Sequence, residues 1–434
     1  MPLPAAVHRA ALVAVVGSAA AVAWLRLRLW PRPAVAPPAE PGRHDVRVLE
    51  TRRIVPGPGL PREAALGRSN NNLDAVRHAD GFVYLAFRTA PHHFANPHTA
   101  ICVVRSRDEV TWELEARFHL GTDLREPRLL SLGDRLFLYV SRLGRDAFDF
   151  EPQGMSVAER VDGGRWTALE PMGPPGIMGW RARMLGGKPA MLVYSGGETI
   201  YDLGEPQLRV ELWTTSDGRQ WQPFEPSRPV VYEGGGSEAD CVLGDDGTLY
   251  GVIRNEAGDA TGWGSKVCTA PAGRPADWQC RSDRRKYDSP FMFWHDGEAY
   301  LIARRHLGGN GDYDLGVGLG HLMRTLWNQV NYSLTPKRTA LWRYVQGENR
   351  FAHVMDLPSR GDCCFPAVIP GTAEGEQIVY DYSSDIDGAD VPWLVGQRGD
   401  TSIYRHVLRF TRRRAALPSG SAEHGERRVS GAGV

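Results

Sequence analysis

Six times along the chain, one or two polar residues precede a short apolar strand, a turn carrying glycine and a second apolar strand. The copies lie at 73–87, 126–140, 181–194, 238–253, 288–302 and 362–382. Apolar runs of strand length, broken at intervals by turn residues, predict antiparallel hairpins. The turn glycines Gly81, Gly133, Gly187, Gly247, Gly297 and Gly375 are separated by 52, 54, 60, 50 and 78 residues, room for one four-stranded sheet each. The pattern predicts an all-β chain folded as a six-bladed β-propeller. An extended stretch at 44–52 precedes the first copy and is expected to pair with the last blade, which closes the ring and leaves no free sheet edge.

A second element recurs between the hairpins. Asp108 and Trp112, Asp217 and Trp221, and Asp162 and Trp166 each place an aspartate four residues before a tryptophan. The carboxylate is expected to hold backbone amides in a hairpin turn while the indole wedges against the blade, a structural staple.

The ends follow different patterns. Residues 10–25 form an uninterrupted run of 16 small and apolar residues, the length of a signal-peptide core or a short membrane helix. The nearest small-residue cleavage signal, Ala34 to Ala36, is followed by Pro37, so an uncleaved anchor is expected. Four segments result: an anchor at 1–30, a proline-rich extended linker at 31–43, the propeller at 44–415 and a polar tail at 416–434 that is expected to be disordered. Arg26, Arg28 and Arg32 would by the positive-inside rule keep the propeller in the cytoplasm. Two other features point outward: a potential disulfide and a carbohydrate-type centre. The expectation is therefore a membrane-anchored, extracytoplasmic, monomeric propeller.

Composition narrows the partners. Lys plus Arg and Asp plus Glu are both 51, which provides no global field for nucleic acid. With 49 glycines and 13 tryptophans the chain is rich in turns and large anchors. None of the six cysteines has the paired spacing of a zinc or redox site, so no metal and no cofactor are read. Cys268 and Cys280 flank a turn-like stretch and are either disulfide partners or two buried thiols.

Inner strands of a propeller start near its axis, so polar residues just before each apolar run should converge on one funnel. Asn72 and Asp74, Arg125 and Glu126, Arg181 and Arg183, Glu238 and Asp240, Asp288, and Asp362 occupy equivalent phases in the six copies. Arg304, which ends the second strand of the fifth copy, adds a candidate cation. Carboxylates accept bonds from sugar hydroxyls and guanidinium forks carboxylate, so this set points to a carbohydrate substrate or glycan ligand.

The Asp–Trp elements resemble degenerate copies of the SxDxGxTW box repeated in the sialidase superfamily of six-bladed propellers. The segment from Glu238 through the Asp246–Gly247 turn to Arg254 is similar to the sialidase stretch in which a glutamate precedes a strand and an arginine follows sixteen residues later. The resemblance implies that Glu238 polarises a tyrosine nucleophile and that Arg254 belongs to a triad holding a substrate carboxylate. The chain departs from that family elsewhere. Asn71, Asn72, Leu73 and Asp74 stand where sialidases have FRIP, His92 and His93 lie where an acid/base aspartate is expected, and Tyr380 and Tyr382 fall one strand after the usual tyrosine. Two carboxylates can instead run glycoside hydrolysis as acid and base or nucleophile. Glu238 paired with Asp74, Glu126 or Asp288 is the catalytic expectation. Arg254, Asn72, Arg125, Arg183, Asp240, Arg304 and Asp362 are expected to bind substrate. The alternative is a non-catalytic propeller that binds glycan or protein.

Overall fold

The computed structural model describes residues 40, 42–146, 152–196 and 207–413, which form six antiparallel sheets of four or five strands. The inner strands are Ser69–Arg77, Leu124–Leu132, Ile177–Leu185, Gly236–Leu243, Asp288–His295 and Cys363–Pro370. Each touches the next and the last touches the first, so the sheets close into a ring of six blades. All six turn glycines adopt φ between 63° and 83°, a region that side chains disfavour, which explains their regular recurrence. Blade 6 is completed by the first strand, His44–Val55, paired with Ser402–Arg412. The ring is thus sealed as the sequence pattern predicts.

Blades pack face to face, so a middle strand is covered on both sides. Val83–Ala90 and Glu298–His306 are buried along their whole lengths. Two of the three Asp–Trp elements are staples as expected. Asp108 Oδ1 accepts the amides of Val110 and Thr111, both at 2.8 Å, and Asp217 Oδ1 accepts those of Arg219 and Gln220 at 2.9 and 2.8 Å. At the third, Asp162–Gly164 form a single 3-10 turn and the Trp166 indole donates to Glu115 at 3.2 Å. Cys268 and Cys280 face each other on neighbouring strands and are bonded, with an S–S distance of 2.06 Å.

Five of the inner strands share a further feature. Each carries a register shift near its start, at 71/73, 125/128, 236/239, 288/291 and 364/367, and the sixth shifts at 179/181. Asn72, Glu126, Ser289 and Phe365 stand at these bulges with positive φ. A bulge bends its strand and re-aims the side chains on either side of it. Residues before the bulge face one mouth of the ring, here called upper, where the inner strands begin. Residues after it face the lower mouth.

A plug divides the two mouths. Trp180 of blade 3 meets Phe365 of blade 6, the opposite blade, with ring centroids 5.0 Å apart. Arg128 of blade 2 lies over Trp180 at 4.7 Å. The Trp180 indole and Arg181 Nη2 both donate to the Pro290 carbonyl of blade 5, at 3.4 and 3.1 Å. Contacts between opposite blades must cross the axis, so the single funnel expected from the sequence is in fact two separate mouths.

The expected anchor, most of the linker and the tail lie outside the described residues. Among the described residues no helix is long and apolar enough to cross a membrane. His44 pairs with Arg412, so both ends of the propeller leave at the lower face.

Candidate functional site

The upper mouth is built from charges carried to it by the first turns of the inner strands and the ends of the second strands. Arg254, at the end of strand Leu249–Asn255, reaches three carboxylates: Glu238, Glu256 and, at 2.8 Å, Asp288. Lys286 pairs with Glu256 at 2.6 Å and Asp288 at 3.4 Å, while Arg304 donates to Asp288 at 3.2 Å. Tyr332 donates to the same carboxylate. Burial opposes the Asp288 charge, yet Lys286, Arg254 and Arg304 hold its carboxyl below the usual range, a fixed anion rather than a proton carrier.

A second group lies beside it. Asp362 Oδ2 lies 2.7 Å from His93 Nδ1, and its Oδ1 accepts hydrogen bonds from Tyr382 and Trp393, both at 2.9 Å. Arg304 Nη2 donates to the Tyr382 hydroxyl at 3.3 Å. Burial pushes Tyr382 far above the ordinary phenol range and lowers His93 despite the carboxylate beside it. Asp123 joins Arg88, at 2.8 Å, to Arg125, whose Nη2 donates to the His93 carbonyl at 2.6 Å.

Two glutamates differ from this paired background. Glu126, on the bulge of blade 2, is 6% exposed, and among the described residues its Oε2 has no hydrogen-bond partner. Burial and the nearby charge of Glu238 push it up to about 8, against the pull of Arg128, Arg125 and Arg254. Glu238 is also raised, by burial first and Asp288 second, although it accepts the Ser289 amide at 2.8 Å and pairs with Arg254. Two carboxylates in one field share protons rather than ionise independently. Access remains at this point: the side chains of Glu256, Arg254 and His93 are 20%, 13% and 12% exposed.

Neither a protein-family profile nor a curated protein sequence matches the chain. Solved structures do. A Dyadobacter fermentans protein of unknown function shares 15% identity at a TM-score of 0.57, over 84% of this chain and 99% of its own. A Trypanosoma rangeli sialidase in complex with the inhibitor DANA shares 14% identity at a TM-score of 0.51, over 79% of this chain and 55% of its own. The same sialidase in complex with sialic acid gives a TM-score of 0.50 at 13% identity. The chain spans about half the length of that sialidase. Its fold is a sialidase-like propeller.

Within this propeller the upper mouth gathers Arg125, Glu126, Glu238, Arg254, Asp288, Arg304 and Asp362 of the sequence-selected residues, and Asn72 stands on the bulge of blade 1. It does not include Asp74, Asp240 or Arg183. Asp74 Oδ2 accepts the Leu129 amide of the next blade at 2.9 Å, and Asp240 Oδ2 accepts the Met292 amide at 2.7 Å. Both lie after the bulge, where they staple neighbouring inner strands together on the lower side of the plug. Arg183 pairs with Asp240 there at 2.9 Å. Of the three partners expected for Glu238, Glu126 and Asp288 share its mouth and Asp74 does not, because the bulge separates residues that the sequence spaces by two.

Several upper-mouth residues escape a repeat-based reading. Lys286 and Glu256 flank strands, and Tyr332 comes from helix His321–Ser333, inserted between the second and third strands of blade 5. That helix buries Thr325, Asn328 and Tyr332 and exposes Leu322, Met323 and Trp327, the inverse of ordinary amphipathy. Polar residues at spacings of three and four inside the long 78-residue interval were the available signal. Lys337 Nζ donates to the carbonyls of Tyr332 and Thr335, which ties the end of this helix to the blade.

Proposed function

We propose that the protein is a divergent member of the sialidase superfamily, a glycan-directed hydrolase in which Glu126 donates a proton and Glu238 serves as base or nucleophile. One observation carries the reading: Glu126 presents a buried, unpartnered Oε2 in the field of Glu238, beside the partly exposed Arg254 and Glu256. An acid that stays protonated near neutral pH can protonate a leaving oxygen while the second carboxylate activates water or attacks the sugar. Asn72, Arg125, Asp288, Arg304 and Asp362 frame the substrate. Arg254 is already met by three carboxylates, which favours neutral sugars over a substrate that brings its own carboxylate. The apolar run at 10–25 supports a membrane anchor, and the Cys268–Cys280 bond supports an oxidising, extracytoplasmic setting. A tether leaving the lower face would direct the upper mouth away from the bilayer.

The test is a screen of the purified full chain against neutral aryl glycosides and an aryl sialoside. Hydrolysis of a neutral glycoside is expected, lowered by about 10²-fold or more in Glu126→Gln and in Glu238→Gln, with an alkaline limb near pH 8 as Glu126 ionises. One observation favours a second reading, a non-catalytic glycan- or protein-binding propeller: Tyr382 is fully buried and its hydroxyl is held by Asp362 and Arg304. Binding on a glycan array with no turnover by wild type or variants selects that reading.

A further inference from the structure

The lower mouth opens into a cavity of about 830 Å³, within the range of small-molecule sites. The plug separates it from the upper mouth, so it is no extension of the glycan site. Its walls are the second halves of the inner strands, largely apolar, with Phe291 and Trp294 among them. Its polar lining is chiefly cationic. Arg181 and Arg183 both lie over the Phe291 ring, at 4.4 and 4.8 Å, and both line the cavity. Arg183 spends Nη1 on the Cys241 and Met292 carbonyls and one Nη2 hydrogen on Asp240, which leaves Nε–H and a second Nη2–H. Arg181 is 2% exposed, and among the described residues its Nε has no hydrogen-bond partner and faces only the Asp240 carboxylate, at 3.5 Å. Next to it, Arg128 is 1% exposed with Nε and Nη2 likewise unpartnered.

The charges around this floor do not cancel. Arg181 and Arg183 pair with Asp74 and Asp240, and Arg128, beside them in the plug, adds a third guanidinium whose other carboxylate neighbour, Glu126, is pushed up to about 8. Burial raises the Asp74 carboxyl, which weakens the anionic side further. Burial and Arg128 push Arg181 down to about 9, against the pull of Asp240 and Asp74 at 3.5 and 3.4 Å. A buried surplus of positive charge is costly, and one anion would relieve it.

We propose that the lower cavity binds an organic carboxylate with a single anionic head and an apolar body, the head on Arg183 and Arg181 and the body along Phe291 and Trp294. The guanidinium fork accepts a carboxylate through two parallel bonds, and the apolar walls exclude water from the pair.

Calorimetric titration of the full chain tests this with octanoate as probe, its neutral amide octanamide and the short anion acetate as controls. One octanoate per chain is expected, with octanamide and acetate at least tenfold weaker. Arg183→Gln lowers octanoate affinity at least tenfold. Met184, 44% exposed at the cavity rim, gives a second variant that leaves the core intact. Met184→Asp is expected to weaken octanoate severalfold, through repulsion at the mouth, with an unchanged melting temperature. Absence of saturable octanoate binding overturns the proposal. So does equal binding of octanamide, or octanoate affinity unchanged in Met184→Asp.

Discussion

The two mouths of the ring use the same residue types to opposite ends. At the upper mouth most charges meet an opposite one: Arg254 serves three carboxylates, Asp288 serves Arg254, Lys286 and Arg304, and Asp123 serves Arg88 and Arg125. At the lower mouth the carboxylates are committed to backbone amides and a guanidinium is left over. The difference lies in geometry rather than composition. The upper groups come from strand starts and inserted segments that fold over them, and can therefore be surrounded. The lower groups come from the middles and second halves of the inner strands, beside an open cavity. The upper mouth concentrates paired charges, the lower a surplus of positive ones.

The largest test of this contrast removes the charge that joins the upper carboxylates. Arg254→Met leaves Glu238, Glu256 and Asp288 buried with one cation fewer, an expected loss of about 3 to 5 kcal/mol. Arg183→Met at the lower mouth is expected to cost less, because Arg181 remains 3.5 Å from Asp240. Urea unfolding of both variants measures the difference, and equal losses would erase the distinction between the mouths.

A smaller effect, of opposite sign, belongs to Glu126. Its carboxyl lies near 8 in the folded chain against an ordinary 4.5. With the folded value raised, its contribution is fully present below about pH 4.5 and is lost as pH rises toward 8. Glu126→Gln fixes the neutral form. It is expected to stabilise the protein by up to about 3 kcal/mol at pH 7 and to change little at pH 4. Unfolding at the two pH values checks this, and a gain independent of pH would show that Glu126 ionises normally.

The sequence carried the ring more clearly than its centre. Turn glycines report a local need for positive φ, so six of them could be counted, and the closing strand at 44–52 followed from the need to cover an edge. The site depended on a feature that leaves no mark in the residue pattern. Asn72 and Asp74, like Glu238 and Asp240, occur two apart and in a regular strand would share a face. The bulges at 71/73 and 236/239 divide them between the mouths. Glu126 was legible by phase and as one of three partners for Glu238, but which of the three shares its mouth depends on how the blades meet across the ring. Tyr332 was hidden for another reason: a helix that turns polar residues inward breaks the rule by which helices are read.

The finest distinction lies within the lower mouth, between its two aspartates. Asp240 is fully buried, accepts the Met292 amide at 2.7 Å and pairs with Arg183 at 2.9 Å. Asp240→Asn keeps one amide acceptor but loses the charge, an expected cost of about 1 to 3 kcal/mol. Asp74 makes the equivalent amide bond, yet its arginine is more distant, at 3.4 Å, and burial raises its carboxyl. Stability linked to a raised carboxyl is lost as pH rises, so the neutral amide is a closer substitute here than at Asp240. Asp74→Asn is expected to stay within about 0.5 kcal/mol of wild type at pH 5, and to compare more favourably with wild type at pH 8. Urea midpoints of both variants at these pH values decide the matter. A loss at Asp74 equal to that at Asp240 would mean that both staples act as full anions, with the excess positive charge of the lower mouth correspondingly reduced.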